Sequence, residues 1–174
     1  MSDHSLPKTV DPLKYADQNK VLEGEIALEL MPRLLEIVLE SEAEVKIRLE
    51  FDRDEQKLRV LKGQLSADLV LVCERCLEPV NKRVESEFAL GIVLTDEQAK
   101  NLPGYYEPLL VDPESLELLE VIEEELMLSL PMFAYHDDCE LDTSALRNEE
   151  VEQSQKDEDK PNPFSVLSEL KLKK

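Results

Sequence analysis

The chain has 174 residues, enough for one domain of ordinary size with extensions, and 42% of it is apolar, enough for a core. It carries 40 Asp and Glu against 20 Lys and Arg, a formal net charge of −20, the opposite of the basic face with which general nucleic-acid binders neutralise phosphates. With 4 Gly, 5% aromatic residues, no Trp and no GxGxxG or GxxxxGK[ST] pattern, neither phosphate-cradling loops nor extended base-stacking platforms are expected.

The first residues, Met1-Ser2-Asp3-His4, show no charged n-region followed by an apolar run, and apolar stretches are interrupted by Glu or Arg short of membrane-spanning length. Cys73, Cys76 and Cys139 are odd in number and do not resemble a disulfide framework. A cytoplasmic protein with reduced thiols and no membrane contact is expected.

Residues 1–20 are polar, contain Pro7 and Pro12, and read as an extended N-terminal arm. From Val21 a weak alternation through Leu22, Ile26, Leu28 and Leu30 predicts a strand. Pro32 suits a first helical turn, followed by the short apolar face of Leu34, Leu35 and Val38. Ala43, Val45, Ile47, Leu49 and Phe51 alternate with charged residues, the period of two that a half-buried sheet needs. A charged turn over 52–56 leads to a partner strand containing Leu65, Ala67, Leu69, Leu71 and Cys73, and a turn over 76–79 leads to Val84, Phe88, Leu90 and Ile92. Turns this short join antiparallel strands, so residues 42–94 are expected to form an antiparallel meander.

Thr95 or Asp96 is placed to cap a short helix ended by Pro103-Gly104, and 106–111 is a candidate strand. The strongest helical pattern runs over 116–130, with Ser115 as N-cap, a stripe of Leu119, Ile122, Leu126 and Leu130, and Pro131 as its stop; Glu123-Glu124-Glu125 reads as a solvated face. Beyond His136 the composition changes. Residues 137–160 hold ten acids and three bases, a flexible acidic segment, and apolar order returns in a short helix over 161–174. The expected organisation is an arm (1–20), one α+β domain (21–136), the acidic segment and the terminal helix. The fold expected is an antiparallel meander sheet or partial barrel with the long helix packed on it.

Cys73-Glu74-Arg75-Cys76 is the sharpest chemical feature. Two thiolates at this spacing reach one metal ion, and His136-Asp137-Asp138-Cys139 offers a second pair with the same gap, giving a Cys3His set suited to structural zinc. The competing reading is two unligated thiols at a strand end and a loop pair that never meets them. A thioredoxin-like role is not expected, because Pro79 and the following strand leave no helix to lower a thiolate pKa. No catalytic residues are assigned: His4 lies in the arm, His136 is the one other histidine, no nucleophile motif such as GxSxG occurs, and among 40 acids carboxylate pairs arise by chance. Residues 46–62 hold six bases against four acids, and Arg75, Lys82 and Arg83 surround the next turn. Arg48, Arg59, Arg75, Lys82 and Arg83 are therefore candidate contacts to RNA or a partner, with ordinary cross-strand ion pairing as the competing reading.

Taken together, Cys73-Glu74-Arg75-Cys76-Leu77-Glu78-Pro79, Asp96-Glu97-Gln98-Ala99, Tyr106-Glu107-Pro108 and Lys160-Pro161-Asn162-Pro163-Phe164-Ser165-Val166-Leu167 resemble the bacterial YceD family, the large ribosomal RNA subunit accumulation proteins. The resemblance covers nearly the whole chain, and Pro161, Pro163, Phe164 and Leu167 match the family's C-terminal motif. It implies a non-enzymatic ribosome-biogenesis factor supporting synthesis, processing or stability of 23S rRNA. Its partners would then be 23S rRNA or its precursor, or large-subunit ribosomal and biogenesis proteins. The −20 charge supports a different reading, an acidic module that chaperones a basic protein partner such as a ribosomal protein without touching RNA.

Overall fold

Period-two alternation produces the centre of the molecule. The structure is a computed structural model that describes residues 6–40 and 42–140. In chain order its elements are β1 (Thr9–Val10), α1 (Pro12–Asp17), β2 (Val21–Ala27), a 3-10 turn (Leu28–Leu30), α2 (Pro32–Leu35), β3 (Glu44–Arg53) and β4 (Arg59–Val72). There follow β5 (Pro79–Val93), α3 (Asp96–Lys100), β6 (Glu107–Leu110), β7 (Leu116–Glu117) and α4 (Leu118–Leu128). The main sheet has the order β2-β3-β4-β5-β6 and is open, with β2 and β6 at its edges. The first four strands are antiparallel neighbours; β6 runs parallel to β5, which requires the crossover through α3. No helix among the described residues is long and apolar enough to cross a membrane.

Register decides which residues share a face. Ile47, Leu65 and Ser86 lie in one row, Leu49, Gly63 and Phe88 in the next, and Phe51, Leu61 and Leu90 in a third. These rows form the inner face, and Val45, Leu49, Phe51, Leu61 and Leu69 are essentially inaccessible to water. Burying such a side chain contributes about 1.5–3 kcal/mol, so this face is the main source of stability. Gly63 is required by close approach: a Cβ there would lie 2.0 Å from Cζ of Phe88, whose ring covers the glycine. The outer face carries Glu25, Lys46, Ser66 and Glu85 in one row and Glu23, Arg48, Gln64 and Glu87 in another.

The inner face is covered by α1, α2 and α4, whose Ala16, Leu34, Ile122 and Leu126 are fully buried, with Leu28 and Met31 between them. Residues 9–17 depart from the extended arm expected over 1–20. Asp11 caps α1 by accepting the Lys14 amide at 2.8 Å, and Pro12 occupies the first helical turn. Thr9–Val10 pairs with Leu116–Glu117, so the N-terminal segment belongs to the fold.

Three further features differ from the sequence pattern. The strand from Val21 ends at Ala27, because Leu28–Leu30 turn under the sheet towards Pro32. Helix α4 begins at Leu118; Ser115 is not its cap, and Leu116–Glu117 pair with β1 instead. Glu123 is not solvated. It is 5% exposed, and its carboxylate accepts the backbone amides of Arg33 at 2.8 Å and Leu34 at 3.1 Å, satisfying the first turn of α2. Thr95 does cap α3, accepting the Gln98 amide at 3.2 Å. The residues up to Cys139 form one compact unit. Most of the acidic segment over 137–160 and the terminal helix over 161–174, with Pro161, Pro163, Phe164 and Leu167, lie outside the described residues.

Candidate metal centre

The turn between β4 and β5 is built to present sulfur. Cys73 donates its amide to the Glu78 carbonyl and accepts the Leu77 amide on its own carbonyl, both at 2.9 Å, which folds residues 73–78 into a tight knuckle. Leu77 closes it at φ 63°, in the left-handed region that glycine occupies freely. The segment leaving α4 crosses this knuckle, fixed by a bond from the Glu74 amide to the carbonyl of buried Ala134 at 2.9 Å. This crossing delivers the second donor pair.

The structure brings Cys73, Cys76, His136 and Cys139 together, one potential ligand atom from each lying within 4.8 Å of all the others. Cys73 Sγ is 3.5 Å from Cys139 Sγ, and Cys76 Sγ is 3.3 Å from His136 Nδ1. Tetrahedral zinc, with Zn–S near 2.3 Å and Zn–N near 2.0–2.1 Å, needs donor–donor separations of roughly 3.5–3.8 Å. These two contacts are already close to that length. His136 Nε2 donates to the Pro79 carbonyl at 2.9 Å, which leaves the Nδ1 lone pair facing the sulfurs. A metal-binding imidazole uses such an outer hydrogen bond to fix its tautomer. Arg75 anchors the other side, donating to the Cys139 carbonyl at 2.8 Å with its guanidinium 5.0 Å from the Tyr135 ring centroid.

The electrostatics divide the thiols. Burial pushes the Cys73 thiol up, but hydrogen bonds from the backbone at Cys76, His136 and Arg75 and from the Cys139 thiol outweigh it and bring it down to about 5. Burial raises Cys139, and its hydrogen bonds to Cys73 and Cys76 raise it further. None of the three cysteines is in a disulfide.

The candidate contact cations do not converge on one surface. Arg48 bonds Glu50 at 2.7 Å and also Glu23; Arg59 shares Asp17 with Arg53; Arg83 bonds Glu85 at 2.8 Å. Lys82 and Arg83 are neighbours in sequence and opposite in space, since Lys82 lies opposite Leu69 on the inner face and Arg83 opposite Asp68 on the outer face. The outer face between β2 and β5 forms an open trough of about 1060 Å³ in which Glu23, Glu25, Glu44, Glu85 and Glu87 outnumber Lys46 and Arg48. Its character is therefore acidic. The expected cross-strand pairing is seen for Arg48 with Glu23; Glu50 and Glu85 lie two residues along the same strand from their partners, and Asp17, from α1, is the partner the sequence did not indicate.

A family model described as "Large ribosomal RNA subunit accumulation protein YceD" matches residues 61–171, which include the knuckle, α4 and both donor pairs. The chain belongs to the YceD family. A relative from Haemophilus influenzae, named large ribosomal RNA subunit accumulation protein YceD, is 36% identical over 174 residues, covering 99% of this chain and 100% of the relative. No solved structure matches.

Proposed function

We propose that this protein is a non-enzymatic cytoplasmic factor that supports accumulation of 23S rRNA during assembly of the large ribosomal subunit, and that its Cys3His cluster holds a structural zinc ion. Membership of the YceD family over nearly the full length carries the first part of this reading. A non-catalytic role fits a zinc-bound cluster, in which His136 Nδ1 would hold the metal and Nε2 the Pro79 carbonyl, leaving neither nitrogen as a general base. The size of the four-donor cluster supports zinc. The metal would tie the β4–β5 turn to the segment after α4, and its binding energy would be folding energy.

The ion pairs favour an indirect route to RNA. Arg48, Arg59 and Arg83 are occupied by carboxylates, and Arg75 by Tyr135 and the Cys139 carbonyl. Lys82 is the one candidate of the five with no such partner among the described residues. A factor so built acts on rRNA by chaperoning a basic protein of the large subunit.

Deletion of the gene, followed by the ratio of mature 23S to 16S rRNA and sedimentation profiles, tests the role; unchanged ratios and profiles refute it. Metal analysis of protein purified without chelator tests the centre, which requires about one zinc per chain and fails at well below that.

A further inference from the structure

The knuckle displays a set of apolar side chains that packing among the described residues leaves exposed. Met132 is 87% exposed, Leu77 75%, Leu128 68% and Phe133 58%, and all belong to the β4–β5 turn or to the end of α4 and the segment crossing it. Phe133 and Tyr135 stack with centroids 6.1 Å apart and planes 18° apart, and Arg75 packs on Tyr135. Leu77 is the informative member. Its left-handed φ of 63° would suit glycine better, and its exposed side chain covers no part of the core, so leucine here strains the backbone with no packing in return.

We infer that this patch is a docking surface for an apolar, cationic segment of another protein. Charge chooses the occupant. The exposed carboxylates of Glu74, Glu78, Asp137 and Asp138 flank the apolar residues along the two loops, and among the described residues of those loops the one Lys or Arg, Arg75, is already engaged. A polyanion meets this rim unfavourably, and a second copy of a chain of net charge −20 meets it with like charge. A segment that alternates Leu-type and Lys/Arg side chains satisfies both parts: its apolar face covers Leu77, Met132 and Phe133, and its cations reach the rim. The bonds between the two loops hold the platform rigid, which lowers the ordering cost of binding. The inference rests on the reading above only in placing the partner within large-subunit assembly; binding is measured on purified protein, so either reading can fail without the other.

The test uses the full chain and three fluorescent probes: an amphipathic Leu/Lys peptide, an oligolysine of equal charge, and a mixed-sequence single-stranded RNA. Anisotropy titrations should show the Leu/Lys peptide binding at least about tenfold more tightly than oligolysine, and losing about tenfold or more in Leu77→Gly and in a Met132→Ser, Phe133→Ser double variant. Leu77→Gly relieves the backbone and should melt no lower than the parent, so it decides the matter if the double variant fails to fold. Binding no tighter than oligolysine overturns the inference, as does binding unchanged in Leu77→Gly. RNA that outcompetes the peptide and is lost with the Phe133 substitution overturns it in favour of a nucleic-acid surface.

Discussion

Replacing Glu123 by alanine isolates a connection between two elements far apart in sequence. Its carboxylate sits in the interior and accepts two amides from the first turn of α2, at 2.8 and 3.1 Å. Hydrogen bonds to a charged group contribute about 1.5–3 kcal/mol each, and an interior donor left without a partner costs about 1–3 kcal/mol. The Leu34 amide belongs to a fully buried residue and would lose its acceptor, while that of exposed Arg33 regains water. Because the two bonds are not additive, the expected loss is about 3–4 kcal/mol. Glu123→Gln keeps one acceptor without the charge and should cost about 1–2 kcal/mol. Glu124→Ala is the control. It removes only the Arg33–Glu124 pair, whose side chains are 55% and 51% exposed, and should cost under about 1 kcal/mol. Urea unfolding of the three variants, with the slope checked for constancy, gives the comparison. If Glu123→Ala unfolds at the same midpoint as Glu124→Ala, the carboxylate is not holding α2 in place and the reasoning is wrong.

Other substitutions test separate parts of the structure. Arg59 and then Arg53, hydrogen-bonded to Asp17, bring its carboxyl down to about 2. A depressed carboxylate stabilises the fold above its unfolded pKa of about 4, and that contribution fades as pH falls towards 2, so parent and Asp17→Asn should differ in melting temperature at about pH 6 and converge near pH 2. A constant difference across that range would contradict it. Gly63→Ala must displace the Phe88 ring and should destabilise by about 1–3 kcal/mol in thermal melts, an effect that shrinks when Phe88→Ala is added. Zinc supplied at about 1,000 times its dissociation constant should stabilise the protein by about 4 kcal/mol, and Cys139→Ser should abolish most of that gain; equal melting with zinc and with chelator would count against the centre.

The long strands were legible because one inner face repeats every second residue, as Val45, Ile47, Leu49 and Phe51 do. The short elements were not. Asp11-Pro12 carries a cap and a first-turn proline, the signal that identifies α1, but a six-residue helix has no periodic face to support it. Glu123 looked like its neighbours Glu124 and Glu125 because a helix pattern records only its own turns; its partner lies 90 positions earlier. The donor quartet was readable as two equal gaps, yet that the pairs meet depends on the path of the chain after Leu130. Pairing of the bases of 46–83 with nearby carboxylates was expected as one reading, but the partner of Arg59 was not visible, since Asp17 lies 42 positions away on α1.

The β1–β7 ribbon imposes an order on assembly. Thr9 waits for Glu117, 108 positions later, and Lys8 for Leu118, so the strand made first has no partner until most of the chain exists. The β3–β4–β5 hairpins need only neighbouring sequence and can form as they emerge, whereas closure of the N-terminal segment carries a large loop entropy and comes last. A nascent chain halted before residue 116 therefore leaves Val10 without its strand partner Leu116, and such fragments should be found by chaperones and proteases that pass over the finished protein.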